Sequence, residues 1–110
     1  MGLFQAIVRR LNPEIALSEL ADQIADLAFD GVWKRVRTQL PTLPAPEMRG
    51  YVRARGALVL RPHFHQAVER HAVVSGRRAQ LYALATEALI RRVQQHALTI
   101  AADKTQRRAA

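Results

Sequence analysis

Apolar positions recur along most of this chain at the three- and four-residue spacing of helices buried on one side. Leu3, Phe4, Ile7, Val8 and Leu11 form a short first stripe, with Gln5, Arg9 and Arg10 turned away from it. Asn12-Pro13-Glu14 reads as the next helix start: an N-cap, a proline in the first turn and an acid at the positive end of the dipole. That helix is expected to run towards Leu40, with Lys34, Arg35 and Arg37 in its last turns and Pro41 closing it.

The long helix changes face along its length. Leu17, Leu20, Ile24, Leu27 and Ala28 lie on one stripe, and Phe29, Val32, Trp33, Val36 and Leu40 on a second, rotated by about a third of a turn. Asp30-Gly31 marks the junction, so either the helix breaks there or it stays straight and packs against two partners. Glu19, Asp22, Asp26 and Asp30 gather into an acidic ridge opposite the first stripe.

Pro41-Thr42-Leu43-Pro44-Ala45-Pro46 reads as a stiff extended linker, since three prolines in six residues oppose helix. Beyond it Pro46-Glu47 starts a second helical stretch. Gly50 and Gly56 weaken it, and Ala57-Leu58-Val59-Leu60 is compatible with a strand; helix is preferred because a lone strand has nothing to pair with. Pro62 is expected to kink or restart the chain. Phe64, Val68, His71 and Ala72 give a further apolar face ending near Ser75-Gly76, with Ser75 as a helix cap. The last helix is expected over about Arg77 to Ala102, on the stripe Tyr82, Ala85, Leu89, Val93, His96 and Ile100, with Glu87 and Arg91 paired one turn apart.

The pattern therefore predicts an all-α fold, a small bundle of four to five helices within a single domain over residues 1–110. A neutral helical half (1–40) is joined by the Pro-rich hinge (41–46) to a basic helical half (47–102), followed by a frayed basic tail (103–110). Leu17, Leu20, Ile24, Leu27, Trp33, Tyr82, Leu89 and Val93 are the expected core or interaction faces.

Composition adjusts this picture in three ways. Nineteen residues are Ala and only six are Phe, Trp or Tyr, so the core is thin and self-association is expected to complete it. There is no Cys, which removes disulfides and thiolate metal sites and fits a reducing compartment. No apolar run reaches the roughly 18–20 residues of a membrane-spanning helix, and the N-terminal pattern lacks a signal-peptide layout. A cytoplasmic location is the expectation.

The net charge of +8 sits in one half: residues 1–46 carry five basic and five acidic side chains, and residues 47–110 carry twelve and four. Arg49, Arg53, Arg61, Arg77 and Arg78 are the candidates for phosphate contacts with DNA or RNA. Arg55 and Arg92, by contrast, project towards apolar sectors, where the acidic ridge is the natural partner. His63, His65 and Glu69, with His71 nearby, are the only metal-ligand grouping, and just His65 and Glu69 have the i, i+4 spacing that a helix needs. Ser18, Ser75 and Thr86 sit in no nucleophile-elbow context, and no phosphate-binding glycine loop is present.

These readings converge on a non-enzymatic binding or assembly protein, a homo-oligomer needing no cofactor, whose basic half faces a polyanion or an acidic protein partner. Nucleic-acid binding through the arginines is the alternative, and a metal-dependent enzyme on His63, His65 and Glu69 is a distant third. The helix over residues 3–11 is short for a membrane-surface anchor and would bind weakly unless several copies acted together.

Overall fold

The computed structural model describes residues 13–71 and 76–109. They form three α-helices, α1 (Pro13–Val36), α2 (Ala45–Arg70) and α3 (Arg78–Ala109), with a 3-10 turn at Leu40–Thr42. The all-α expectation holds. The helix expected over residues 3–11 and the cap expected at Ser75 lie outside the described residues.

Direction follows from which residues meet. Val32 and Leu89 both approach Gly56, Val59 approaches Gly31, and Tyr82 stands edge-on to Phe64. Numbers rise on one helix as they fall on the other, so α2 runs antiparallel to both neighbours. Arg92 meets Asp22 and Asp26, while His96 meets Phe29 and Trp33; α1 and α3 therefore run parallel. The three helices enclose one core rather than two halves. Leu17, Leu20, Ile24, Val32 and Val36 of α1 are buried in it with Val52, Leu60 and Phe64 of α2 and Leu81, Leu89, Ile90 and Val93 of α3. Among the described residues no polar or charged residue is wholly buried there, although the hydroxyl of the half-buried Thr86 is covered.

Four expectations are corrected. Among the described residues there are three helices, fewer than expected, because Pro62 lies inside α2, which runs unbroken from Ala45 to Arg70. Pro62 is exposed, and the carbonyl it leaves without an intrahelical partner belongs to Leu58, itself on the exposed side of the helix. Leu60 and Phe64, buried on either side, hold both flanks to one core.

The proline-rich segment is a folded corner instead of an extended hinge. Leu40 is buried, Thr42 donates its N–H (3.0 Å) and its hydroxyl (2.6 Å) to the Gln39 carbonyl, and Leu43 donates to Leu40 at 3.2 Å. Pro46 enters the first turn of α2, where a missing N–H costs nothing.

The expected frayed tail is helical to Ala109, because its Ala, Gln, Lys and Arg are strong helix formers. Finally, Leu27 is exposed although its stripe neighbours Ile24 and Ala28 are buried. It stands at the edge of the stripe, on the outer side of the α1–α2 pair.

At Gly31 α1 continues without a break. The residues before it face the core, while those around Phe29 and Trp33 also meet α3. A Cβ on Gly31 would stand 2.9 Å from Val59 Cγ1, so the glycine marks a close approach of α1 and α2, and its helix cost is offset by that packing.

Candidate interaction surface

Arg49 and Arg53 lie one turn apart on α2 and converge on Glu87 of α3. Arg49 Nη2 donates to Glu87 Oε2 at 2.7 Å, and Arg53 Nη2 to Oε1 at 3.2 Å. The Arg49 hydrogen bond, opposed by desolvation and aided by the charge of both guanidinium groups and the Arg53 hydrogen bond, holds the Glu87 carboxyl below its ordinary value. Glu87 thus serves the α2–α3 seam instead of the expected i, i+4 pair with Arg91. The other candidate arginines lie elsewhere. Arg61 is exposed on α2, Arg77 is exposed just ahead of α3, and the Arg78 guanidinium lies 5.9 Å over the Phe64 ring. Of the five arginines singled out by sequence, Arg49 and Arg53 share one acid partner, and Arg78 lies over Phe64, three residues after Arg61 on α2.

The α1–α3 seam uses the acidic ridge. Arg92 pairs with Asp26 and, at 3.8 Å, with Asp22. Beside it the His96 ring stands edge-on to Trp33 at 4.5 Å and to Phe29 at 5.4 Å. Both Trp33 and Tyr82 are half-buried members of the packed shell. Arg55 stacks on Tyr51 at 5.6 Å rather than pairing with an acid.

The histidines disperse. His63 lines a groove between α1 and α2, the His65 ring leans on Phe64 at 5.6 Å, and His71 is exposed at the end of α2, not at a core margin. Among the described residues no three His, Asp or Glu side chains are placed to hold a metal. Thr86 Oγ1 is buried with no hydrogen-bond partner, so no base is in reach to activate it.

One surface combines shape, exposed apolar groups and unpaired charge. Gly31, Lys34, Arg35, Leu58, Val59, Pro62 and His63 line an open groove of about 530 Å³ along the outer side of α1 and α2. Leu58 on its wall is 65% exposed, and Leu27, one turn before Gly31 on the same side of α1, is 63% exposed. Lys34 and Arg35 form no ion pair with a described residue. Sequence reasoning missed this groove because Lys34 and Arg35 read as partners of the helix dipole, and the stretch with Leu58 was weighed only as helix against strand. The available signal was phase: Leu58 lies more than half a turn from Leu60, so a helix burying one exposes the other. Compared with known proteins, the chain matches no family model, no curated sequence and no solved structure.

Proposed function

We propose that this chain is a small, non-enzymatic, cytoplasmic binding or assembly protein that self-associates through exposed apolar helix positions and presents a basic surface to a polyanion or an acidic partner. The observation that carries this reading is the pairing of Leu27 and Leu58, both more exposed than covered, with the unpaired cations Lys34 and Arg35 on one face of α1 and α2. Apolar groups set among cations suit a partner that is itself apolar and acidic. Leu84 and Leu98, exposed on the outer side of α3 two heptads apart, offer a separate stripe for contact between copies.

Nucleic-acid binding is the second reading, favoured by the charge of +8 and by the exposed Arg61 and Arg77. It is weakened by Arg49 and Arg53, whose charge already serves Glu87. Light-scattering mass at low and high salt, with absorbance read for co-purifying nucleic acid, separates the two. A defined oligomer free of nucleic acid and insensitive to salt supports assembly. A monomer that carries nucleic acid and sheds it as salt rises puts the second reading first.

A further inference from the structure

Building on the reading of a binding module, we infer that the α1–α2 groove docks an acidic amphipathic helix belonging to a different protein.

The shape argument starts from the pair of helices. On the inner side of α1 and α2 the space is filled by α3, whose Leu89 side chain reaches Gly56. On the outer side nothing described covers the groove over Val59, Pro62 and His63. Two antiparallel helices in close contact offer a furrow of the width a further helix fills, and a helix laid there would make a four-helix bundle. Leu27 and Leu58 stand on either side of that furrow with their side chains mostly in water. They are the groups such a helix would cover.

Charge decides what kind of helix fits. Elsewhere in the molecule, arginines near acids are used: Arg49 and Arg53 by Glu87, and Arg92 by Asp22 and Asp26. In the groove Lys34 and Arg35 have no such partner among the described residues. Arg55, one turn before Val59, adds a third cation close by on α2. His63 lines the same groove, and Asp30, one turn before Lys34, is the acid nearest to it on α1. The balance is cationic, so the flanks of the incoming helix must carry carboxylates.

The chain's own segments do not meet that requirement. Residues 3–11 have an apolar stripe, but their charges are Arg9 and Arg10. The row of acids on α1 is partly committed, since Asp22 and Asp26 hold Arg92. The acids of α2 and α3 are few and scattered among many arginines. In a second copy only α1 has the right sign, with five acids against two bases, but its apolar face is already buried in its own core and two of its acids hold Arg92.

The test uses the full chain and a labelled helical peptide of roughly 18 residues, about 27 Å long, with Leu at i, i+3, i+4 and i+7 and Glu at flanking positions. Two control probes are the same peptide with Lys for Glu, and a single-stranded oligonucleotide. Fluorescence polarisation should show the Glu peptide bound, more weakly as salt rises, and the Lys peptide not bound. Leu58→Asp, and the double change Lys34→Glu with Arg35→Glu, should each weaken binding by about tenfold or more. Arg91→Glu, on the outer side of α3, should change it by less than about twofold. All these positions are exposed, so unchanged far-UV circular dichroism and melting show that the variants fold.

Equal binding of the Lys peptide, failure of the Glu peptide to bind, or indifference to the groove variants would overturn the inference. So would oligonucleotide binding lost with the same variants. A drop in the light-scattering mass of Leu58→Asp would make the groove a contact between copies and overturn it too. Failure of the peptide with a stable oligomer removes the groove assignment alone. Peptide binding by a salt-insensitive monomer leaves the groove standing and removes self-association.

Discussion

The three helical glycines for which contacts are known supply an internally controlled perturbation, because each has the same backbone and a different neighbour. Replacing Gly by Ala inside a helix gains about 0.5–1 kcal/mol wherever a Cβ fits. At Gly50 nothing lies within 4 Å of the new methyl group, so Gly50→Ala should gain that full amount. At Gly56 the methyl group would meet Leu89 Cδ2 at 3.2 Å and Val32 at 3.6 Å. The leucine end must yield slightly, and the net change should lie within about 1 kcal/mol of zero. At Gly31 the nearest atom, Val59 Cγ1, is at 2.9 Å, well inside the roughly 3.5–4.0 Å of a relaxed carbon contact. A helical Val has one strongly preferred rotamer, so the helices must part. Overpacking of this kind costs about 1–3 kcal/mol, and after the propensity gain Gly31→Ala should lose about 0–2 kcal/mol. Val59→Ala should restore the gain in the double variant, giving a coupling of about 1–3 kcal/mol.

Urea unfolding followed by far-UV circular dichroism and by the single Trp33 reads the parent protein and every variant, Val59→Ala alone included, with about 4 °C of melting shift expected per kcal/mol. If Gly31→Ala stabilises as much as Gly50→Ala, or if the Gly31 and Val59 effects simply add, α1 and α2 do not touch there and the packing argument is wrong.

Three further outcomes follow from the seams, the core and the tail. Glu87→Gln should remove a small acid-side dependence of stability. A carboxyl held below its ordinary value of 4.5 adds stability at higher pH that is lost as the pH falls through its folded value. Glu87, Arg49 and Arg53 are 43%, 48% and 58% exposed, so the loss at neutral pH should be only about 0.5 kcal/mol, and urea midpoints of the two proteins should converge below pH 4.5. Thr86→Val should raise stability by about 0.5–1 kcal/mol in the same assay, because it replaces a buried hydroxyl without a partner by a methyl group of similar shape; a loss of that size would mean the hydroxyl has a partner. Ending the chain after Ala102 should lower the helical circular dichroism signal yet leave unfolding free energy within about 0.5 kcal/mol, since residues 101–107 are exposed.

Periodicity read some of these elements well and others poorly, for physical reasons. The α3 stripe is long and faces the core throughout, so Ala85, Leu89 and Val93 are all buried where their spacing puts them. On α1 spacing alone could not say which edge of the stripe a neighbour covers; Ile24 went inside and Leu27 stayed out. The reading of Pro62 as a break gave local conformational cost more weight than the pull of Leu60 and Phe64 on either side. Pairing between distant residues was legible only as a sign. The ridge of acids announced a cationic partner, and Arg92 stood in an apolar sector, which together pointed to their pairing. That Glu87 serves two arginines some thirty-five residues away depends on the register of α2 against α3, which no local pattern carries. The groove was hidden for the same reason, since it exists only once two helices lie side by side.

The absence of wholly buried polar residues from the described core bears on handedness. After two antiparallel helices have packed, a third can settle on either of their two faces, and the two arrangements are near mirror images in outline. Side chains that end in methyl groups fit both almost equally well, because they carry no directional bonds. What differs between the arrangements is the company each surface residue keeps. On the observed side Arg92 meets Asp22 and Asp26, Glu87 meets Arg49 and Arg53, and Leu89 finds the notch at Gly56. Contacts worth little as sources of stability thereby choose which of two similar bundles the chain becomes.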